Sequence, residues 1–278
     1  MPAFQSGSTL RRAAISAISQ TFPNLILGIG VRPTDHETLA VARAIEDRRV
    51  RIIDADGASA SDARNCVIRA IPADLYMFLD SDDAFCSADI VGTYVRDFEL
   101  APDPSLRYAN WIAISPFDGS QRPRPAPTPT SRQYDRLLLD NFVAIGTVMV
   151  PAVILDQVGL FDEEIAHAED WDLWLRIARR FPLRHIPIDT YLYTRQKLVR
   201  LYPRRHYASE WKIALRQPAA IYLRALAALT AHGRYAAYWL RTLPLRRGRP
   251  LVDIRPVDII GLPVVAVLRL VRYGRVNL

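Results

Sequence analysis

An apolar run, Leu75 to Leu79, stops abruptly at Asp80-Ser81-Asp82-Asp83. A short apolar run bounded by turn residues reads as a buried strand. Three carboxylates in four residues cannot continue into a core, so this strand must end where solvent or a cation can meet the charge. Asn24 to Val31 and Val50 to Ile53 are further strand candidates. Helical spacing of apolar residues occurs at 10–19 and at Ser59 to Ile71, and Asp35 and His36 open another helix that runs to about Glu46. Strands alternating with helices predict βαβ units and a mainly parallel sheet. In such sheets ligands bind beyond the carboxyl ends of the strands, where the acidic turn sits.

Farther along, a helix is predicted after Ala88, to about Glu99. Residues 117–133 contain Pro123, Pro125, Pro127 and Pro129 and read as a long surface loop, since proline breaks helices and central strands. Val143 to Val150 predicts a strand, Ala152 to Val158 and Glu169 to Arg180 predict helices, and Leu183 to Ile188 and Thr190 to Tyr193 read as extended. From about Ser209 the pattern is helical, basic and rich in Tyr and Trp. Half of the residues are hydrophobic, enough for a substantial core. Cys66 and Cys86 form no Cys-x-x-Cys pair or Cys/His cluster, which argues against a structural zinc site or disulfide framework and for a reducing compartment.

Charge is distributed unevenly. Residues 1–194 carry a net of −7 and residues 195–278 a net of +14. A basic tail on an acidic domain suits an anionic membrane surface. Its Tyr222, Leu223, Leu226, Leu229, Tyr235, Tyr238, Trp239 and Leu240, set among arginines, would fit a helix lying in a membrane interface or one packed on the preceding domain. A solvated basic face from an arginine-biased composition is the alternative, because Lys197 and Lys212 are the only lysines. No nucleic-acid-binding motif is visible, so no nucleic-acid partner is expected. No signal peptide is expected at Met1 to Thr9, and Ile259 to Leu268, interrupted by Pro263, falls short of the ~20 residues needed to span a bilayer.

Three segments carry chemistry. The carboxylates of Asp80, Asp82 and Asp83 are hard oxygen ligands suited to Mg²⁺ or Mn²⁺, which can bridge to a diphosphate; the alternative is a solvated turn with an Asp capping the next helix. In Glu169-Asp170-Trp171-Asp172, Asp170 could take a proton from a hydroxyl, or the acids could simply favour a helix start. In Ala63-Arg64-Asn65, the arginine could pair with a phosphate or lie on the surface.

In order and spacing these segments resemble the family 2 inverting glycosyltransferases with the GT-A fold. The resemblance covers roughly residues 1–195, about 70% of the chain. Met1-Pro2-Ala3-Phe4 is similar to the end of that family's first strand, and Ala17-Ile18-Ser19-Gln20-Thr21 to the end of its first helix. Ser61 to Asn65 resembles its Ala-Arg-Asn segment, and Tyr76 to Asp83 its Asp-x-Asp segment. Val158 to Glu163, followed by Glu169 to Arg176, resembles its acceptor-side motif.

The resemblance implies an α/β fold, a GT-A-like, Rossmann-like mixed sheet flanked by helices over residues 1–195; charge and residue pattern add a basic helical tail over 196–278. It implies transfer of a sugar from a nucleotide-sugar to a glycan or lipid-linked acceptor, with inversion. Asp82, joined by Asp80, would hold Mn²⁺ or Mg²⁺; Arg64, Asn65, Asp80 and Asp83 would lie on the donor side. Asp170 would be the base and Glu169 would help place the acceptor. The expected location is cytoplasmic, peripheral on the inner face of the membrane.

Two departures from the family pattern stand out. The first strand is shortened, which predicts unpaired neighbours and a gap in the core. After the second strand stands Val31-Arg32-Pro33-Thr34-Asp35, where the family often carries more acidic residues. A catalytically impaired, membrane-associated partner protein with the same fold is the alternative from another class. A nucleotidyltransferase is a weaker one, as no Gly-rich, Lys-bearing N-terminal loop is present.

Overall fold

The computed structural model describes residues 1–57, 59–115, 118–194, 204–218 and 225–230. The predicted tail helix at 218–243 lies largely outside them, as does Ile259 to Leu268. The chain divides into two compact units. The first comprises Met1–Gln133, Phe142–Glu164 and Glu169–Leu198, and the second Tyr134–Asn141, Ile165–Ala168 and Val199–Leu278.

The first unit opens with β1 (Pro2–Ala3), α1 (Leu10–Ile18), β2 (Leu27–Val31), α2 (His36–Arg43), β3 (Val50–Asp54) and α3 (Ala60–Ala70). β1, β2 and β3 form a parallel three-stranded sheet, the βαβ arrangement that the alternating pattern predicts. All five residues of β2 are buried, which is why its sequence is a continuous apolar run. Asp35 caps α2 by accepting from the Thr38 N–H at 3.1 Å, and Ser59 caps α3 by accepting from the Asp62 N–H at 3.1 Å. Leu10, Ala13, Ala14 and Ala17 of α1 pack with Leu27, Ile29 and Val31 of β2 in one core cluster.

Then follow β4 (Leu75–Met77), β5 (Ala84–Phe85), α4 (Ile90–Leu100), β6 (Leu106–Ile114), β7 (Gln121–Arg124), α5 (Gln133–Leu139), a 3₁₀ turn (Ile145–Thr147), β8 (Met149–Pro151), α6 (Ala152–Val158), α7 (Glu169–Ala178), β9 (Leu183–Thr194) and α8 (Arg204–Arg216). The second sheet runs β4-β8-β6-β9-β5, with β7 on β6. It corrects the expectation of a mainly parallel sheet: only β6 and β9 pair in parallel, and the other four pairings are antiparallel. The proline-rich segment also differs from a plain loop. Gln121–Arg124 pairs with β6 and accommodates Pro123 because β7 is an edge strand. The two extended segments predicted near 183–193 are one strand, interrupted by register shifts opposite Ala109 and Asn110.

Between the sheets lies an apolar cleft of about 470 Å³, lined among others by Met1, Leu27 and Gly28 on one side and Leu75, Tyr76 and Met77 on the other. The Met1 amine donates to the Gly28 carbonyl at 2.9 Å, and burial, reinforced by the positive charge of Arg64, pushes its pKa down to about 5.

In the second unit Leu137, Leu138, Ile213, Ala214, Ala227 and Ala228 are buried. Tyr134 donates to Gln217 Oε1 at 3.3 Å. Among the described residues no helix is long and apolar enough to cross a membrane.

Arg107 on β6 is fully buried. Its guanidinium pairs with Asp97 at 3.2 Å and Asp103 at 2.7 Å and lies 3.6 Å from the centre of the Phe98 ring. Removing one partner of a buried ion-pair group costs about 3–5 kcal/mol. Because Asp97 and Asp103 retain some access to solvent, Arg107→Ala is expected at the lower end, about 3 kcal/mol, in urea denaturation. A loss below about 1 kcal/mol would mean that the cluster behaves as a surface pair.

Candidate active site

Arg64 and Asn65 lie on the inward face of α3, with Ser61 and Ile68 at helical spacing. Arg64 is 4% exposed. Its Nη2 donates to Asp80 Oδ1 at 2.7 Å and its Nη1 to Glu169 Oε1 at 2.7 Å, while Nε is buried without a partner. One guanidinium therefore spans the turn after β4 and the first residue of α7. Its plane also approaches the Phe161 ring, 5.3 Å from the centroid. Asn65 holds a neighbouring loop: its side chain donates to the Phe161 carbonyl at 2.9 Å and to Glu163 at 2.8 Å, and accepts from the Phe161 N–H at 3.1 Å.

The acidic turn is gripped from several sides. The Asp83 N–H donates to the Asp80 carbonyl at 3.1 Å and closes the turn. The Ser81 hydroxyl meets that of Ser6 at 2.7 Å. Arg12 of α1 donates to the main-chain oxygen of Asp82 and, at 3.0 Å, to Thr194 Oγ1. Asp83 turns inward, 2% exposed, and accepts from the Thr194 N–H at 3.2 Å. Burial, and then the charges of Asp80 and Asp82, push its pKa up to about 8.

Asp170 is the second residue of α7, after Glu169 and Ala168, whose φ of 60° is an uncommon left-handed conformation for a residue with a side chain. Asp170 is deeply set, with part of its surface open to solvent. Burial first, and then the charge of Glu169, push its pKa up to about 7, against the downward pull of the Trp171 N–H and Arg64. Asp172 faces elsewhere and pairs with Arg176 at 2.8 Å. Arg176 also donates to the carbonyls of Val158 at 2.8 Å and Leu160 at 2.7 Å, tying α7 to the turn after α6. Phe78, Phe161 and Trp174 pack with ring centroids 5.3–6.3 Å apart, joining the end of the β4 segment to α7.

Asp80, Arg64 and Glu169 are thus brought together, with Asp82 and Asp170 adjacent to them in the chain. Asn65 and Asp83 are each engaged in holding a neighbouring segment. Sequence reasoning did not single out Ser6, Arg12, Arg176 and Thr194, because a serine in a turn or an arginine on a helix carries no signal until the fold sets it against a carbonyl. Among the described residues no three His, Cys, Asp or Glu side chains form a ready-made metal cage. Mg²⁺ and Mn²⁺ commonly take one or two carboxylates together with substrate phosphates and water, which leaves Asp80 and Asp82 as the candidates to hold such an ion.

No protein-family model matches the chain. It is 23% identical over 183 residues to the uncharacterized glycosyltransferase RP339 of Rickettsia prowazekii, an alignment that covers 64% of this chain and 57% of that protein. It is 26% identical over 133 residues to the uncharacterized glycosyltransferase YwdF of Bacillus subtilis, covering 47% of this chain and 48% of that protein. The chain therefore spans about half the length of these relatives. Among solved structures it is similar to Staphylococcus aureus TarS in complex with UDP-GlcNAc, with TM-score 0.66, 15% identity, and coverage of 94% of this chain and 78% of that one. The mannosyltransferase PcManGT of Pyrobaculum calidifontis, in complex with GDP-Man and Mn²⁺, aligns with TM-score 0.55 and 12% identity over 100% of this chain and 74% of that one. The fold of this chain is that of solved glycosyltransferases, and the curated relatives it matches bear the glycosyltransferase name.

Proposed function

We propose that this protein is a family 2, GT-A-fold glycosyltransferase that moves a sugar, with inversion, from a nucleotide-sugar to a hydroxyl of a glycan or lipid-linked acceptor. The observation that carries this reading is the Arg64 bridge: one buried cation holds Asp80 and Glu169, each at 2.7 Å, so the two acidic segments are drawn together. The nucleotide-sugar complexes of TarS and PcManGT support a donor of that class.

In this reading Asp80 and Asp82 hold Mn²⁺ or Mg²⁺, which would neutralise the diphosphate and stabilise its charge as it leaves. Arg64 keeps the carboxylates on both sides of the site at fixed separation. Glu169 orients the acceptor. Asp170 takes the proton from the acceptor hydroxyl while that oxygen forms a bond to the anomeric carbon and the bond to the diphosphate oxygen breaks. A base that titrates near neutrality is well matched to this task.

Three outcomes test the reading. Asp170→Asn should lower sugar transfer by roughly 10²–10⁴ while leaving donor binding nearly intact. Asp82→Ala should remove metal-dependent donor binding as well. Asp172, about 200° around the helix from Asp170, should tolerate Asn far better. Paired transfer and binding assays on the three variants check this ordering, and near-native transfer by Asp170→Asn would refute the base assignment.

The pH dependence follows from the same group. Its protonated form cannot act as base, so kcat should rise with pH through about 7 and level off above. A flat kcat profile between pH 5 and pH 8 would overturn the raised pKa of Asp170, because a carboxyl in its ordinary range is ionised across this whole window.

The charge excess of residues 195–278 leads us to assign a cytoplasmic, membrane-surface location. The full chain should co-sediment with vesicles containing phosphatidylserine and detach as salt rises, because such attraction is screened within ~8 Å at physiological ionic strength. Equal partitioning onto neutral vesicles would refute an electrostatic attachment.

A further inference from the structure

We infer that Arg12 is a positioning residue for Asp82, acting through the main chain from outside the acidic turn; this rests on the metal-dependent reading above. Each residue of the turn is held differently. Asp80 is held through its carboxylate by Arg64, Ser81 through its hydroxyl by Ser6, and Asp83 through its carboxylate by the Thr194 N–H. For Asp82 the hold runs through its carbonyl oxygen, to Arg12 Nη2. The same nitrogen donates to Thr194 Oγ1 at 3.0 Å, so Arg12 ties together α1, the acidic turn and the end of β9.

Gripping a carbonyl restrains the peptide that follows Asp82, and with it the backbone from which the side chain leaves. In the metal-dependent reading, the carboxylate of Asp82 would meet the cation while Arg12 restrains the backbone that carries it. This is the part that partners of metal-binding groups play when they orient a ligand without touching the metal.

The sign of one measurement separates this role from a purely electrostatic one. A positive charge beside three carboxylates repels an incoming cation. If Arg12 were only a counter-charge, removing it would leave Mn²⁺ binding unchanged or tighter. If Arg12 positions Asp82, removing it loosens a ligand and weakens binding, by about 10–100-fold for changes of this kind.

The experiment measures Mn²⁺ uptake by the full chain in the presence of UDP or GDP, using the electron paramagnetic resonance signal of free Mn²⁺, with thermal unfolding as a control. Arg12→Ala is expected to weaken uptake at least about ten-fold with the fold retained, and Arg12→Lys, which keeps a single donor nitrogen, to recover part of it. Thr194→Val, which removes only the hydroxyl acceptor, should fall between wild type and Arg12→Ala and serves if Arg12→Ala does not fold. Unchanged or tighter uptake by Arg12→Ala, or by Thr194→Val where it must stand in, overturns the positioning role alone. Absence of saturable uptake by the wild-type chain overturns that role together with the metal-dependent reading on which it rests.

Discussion

A buried arginine shared between two carboxylates is the interaction on which the site depends. Removing a guanidinium from water costs several kcal/mol unless ion pairs and hydrogen bonds replace the lost hydration. Arg64 has Asp80 and Glu169, each at 2.7 Å, and the aromatic face of Phe161. The dependence runs both ways. Without this cation, Asp80, Glu169 and Asp170 would sit close together with little to offset their repulsion. Burial and Glu169 raise the pKa of Asp170, Arg64 and the Trp171 N–H lower it, and the balance falls near neutrality.

Around that pair the surrounding segments are fixed mainly by hydrogen bonds from side chains to backbone. Arg176 grips the carbonyls after α6, Asn65 grips Phe161 on both its N–H and its carbonyl, and three aromatic rings fill the space between. Bonds of this kind specify one loop conformation, because a shifted loop would leave buried polar groups without partners. The left-handed Ala168, immediately before Glu169, is a local strain that the folded chain sustains at the entrance to α7.

Local pattern made much of the first sheet legible. The apolar runs and helical periods around β2, β3, α1, α2 and α3 were each visible, and Asp35 and Ser59 stand where the caps were needed. Pairing in the second sheet was not legible, because β6 is joined to β8 and β9 across long stretches of chain and no local signal encodes direction. Pro123 suggested a loop, and only an edge position lets it lie in a strand. At the site, the acidic turn stood out because it ends an apolar run, whereas Arg64 alone read equally as a surface residue and stood out through the resemblance of its segment to the family's. Arg12 and Arg176 did not, since each also grips a main-chain carbonyl distant in sequence, a partner that becomes specific only after folding.

The length of β4 explains why so many side chains converge on the acidic turn. β4 has three residues and pairs along one edge with β8, while its other side faces the apolar cleft. So short a ladder cannot by itself hold the turn that follows, where the carboxylates of Asp80 and Asp82 flank the buried carboxyl of Asp83. The restraint passes instead to Ser6 after β1, Arg12 on α1, Arg64 on α3 and Thr194 at the end of β9. These elements come from both sheets, so the placement of Asp80 and Asp82 reports the packing of the whole first unit rather than the geometry of one loop. A substitution that loosens any of the four anchors should therefore be felt at the carboxylates, even where it leaves the core and the strands unchanged.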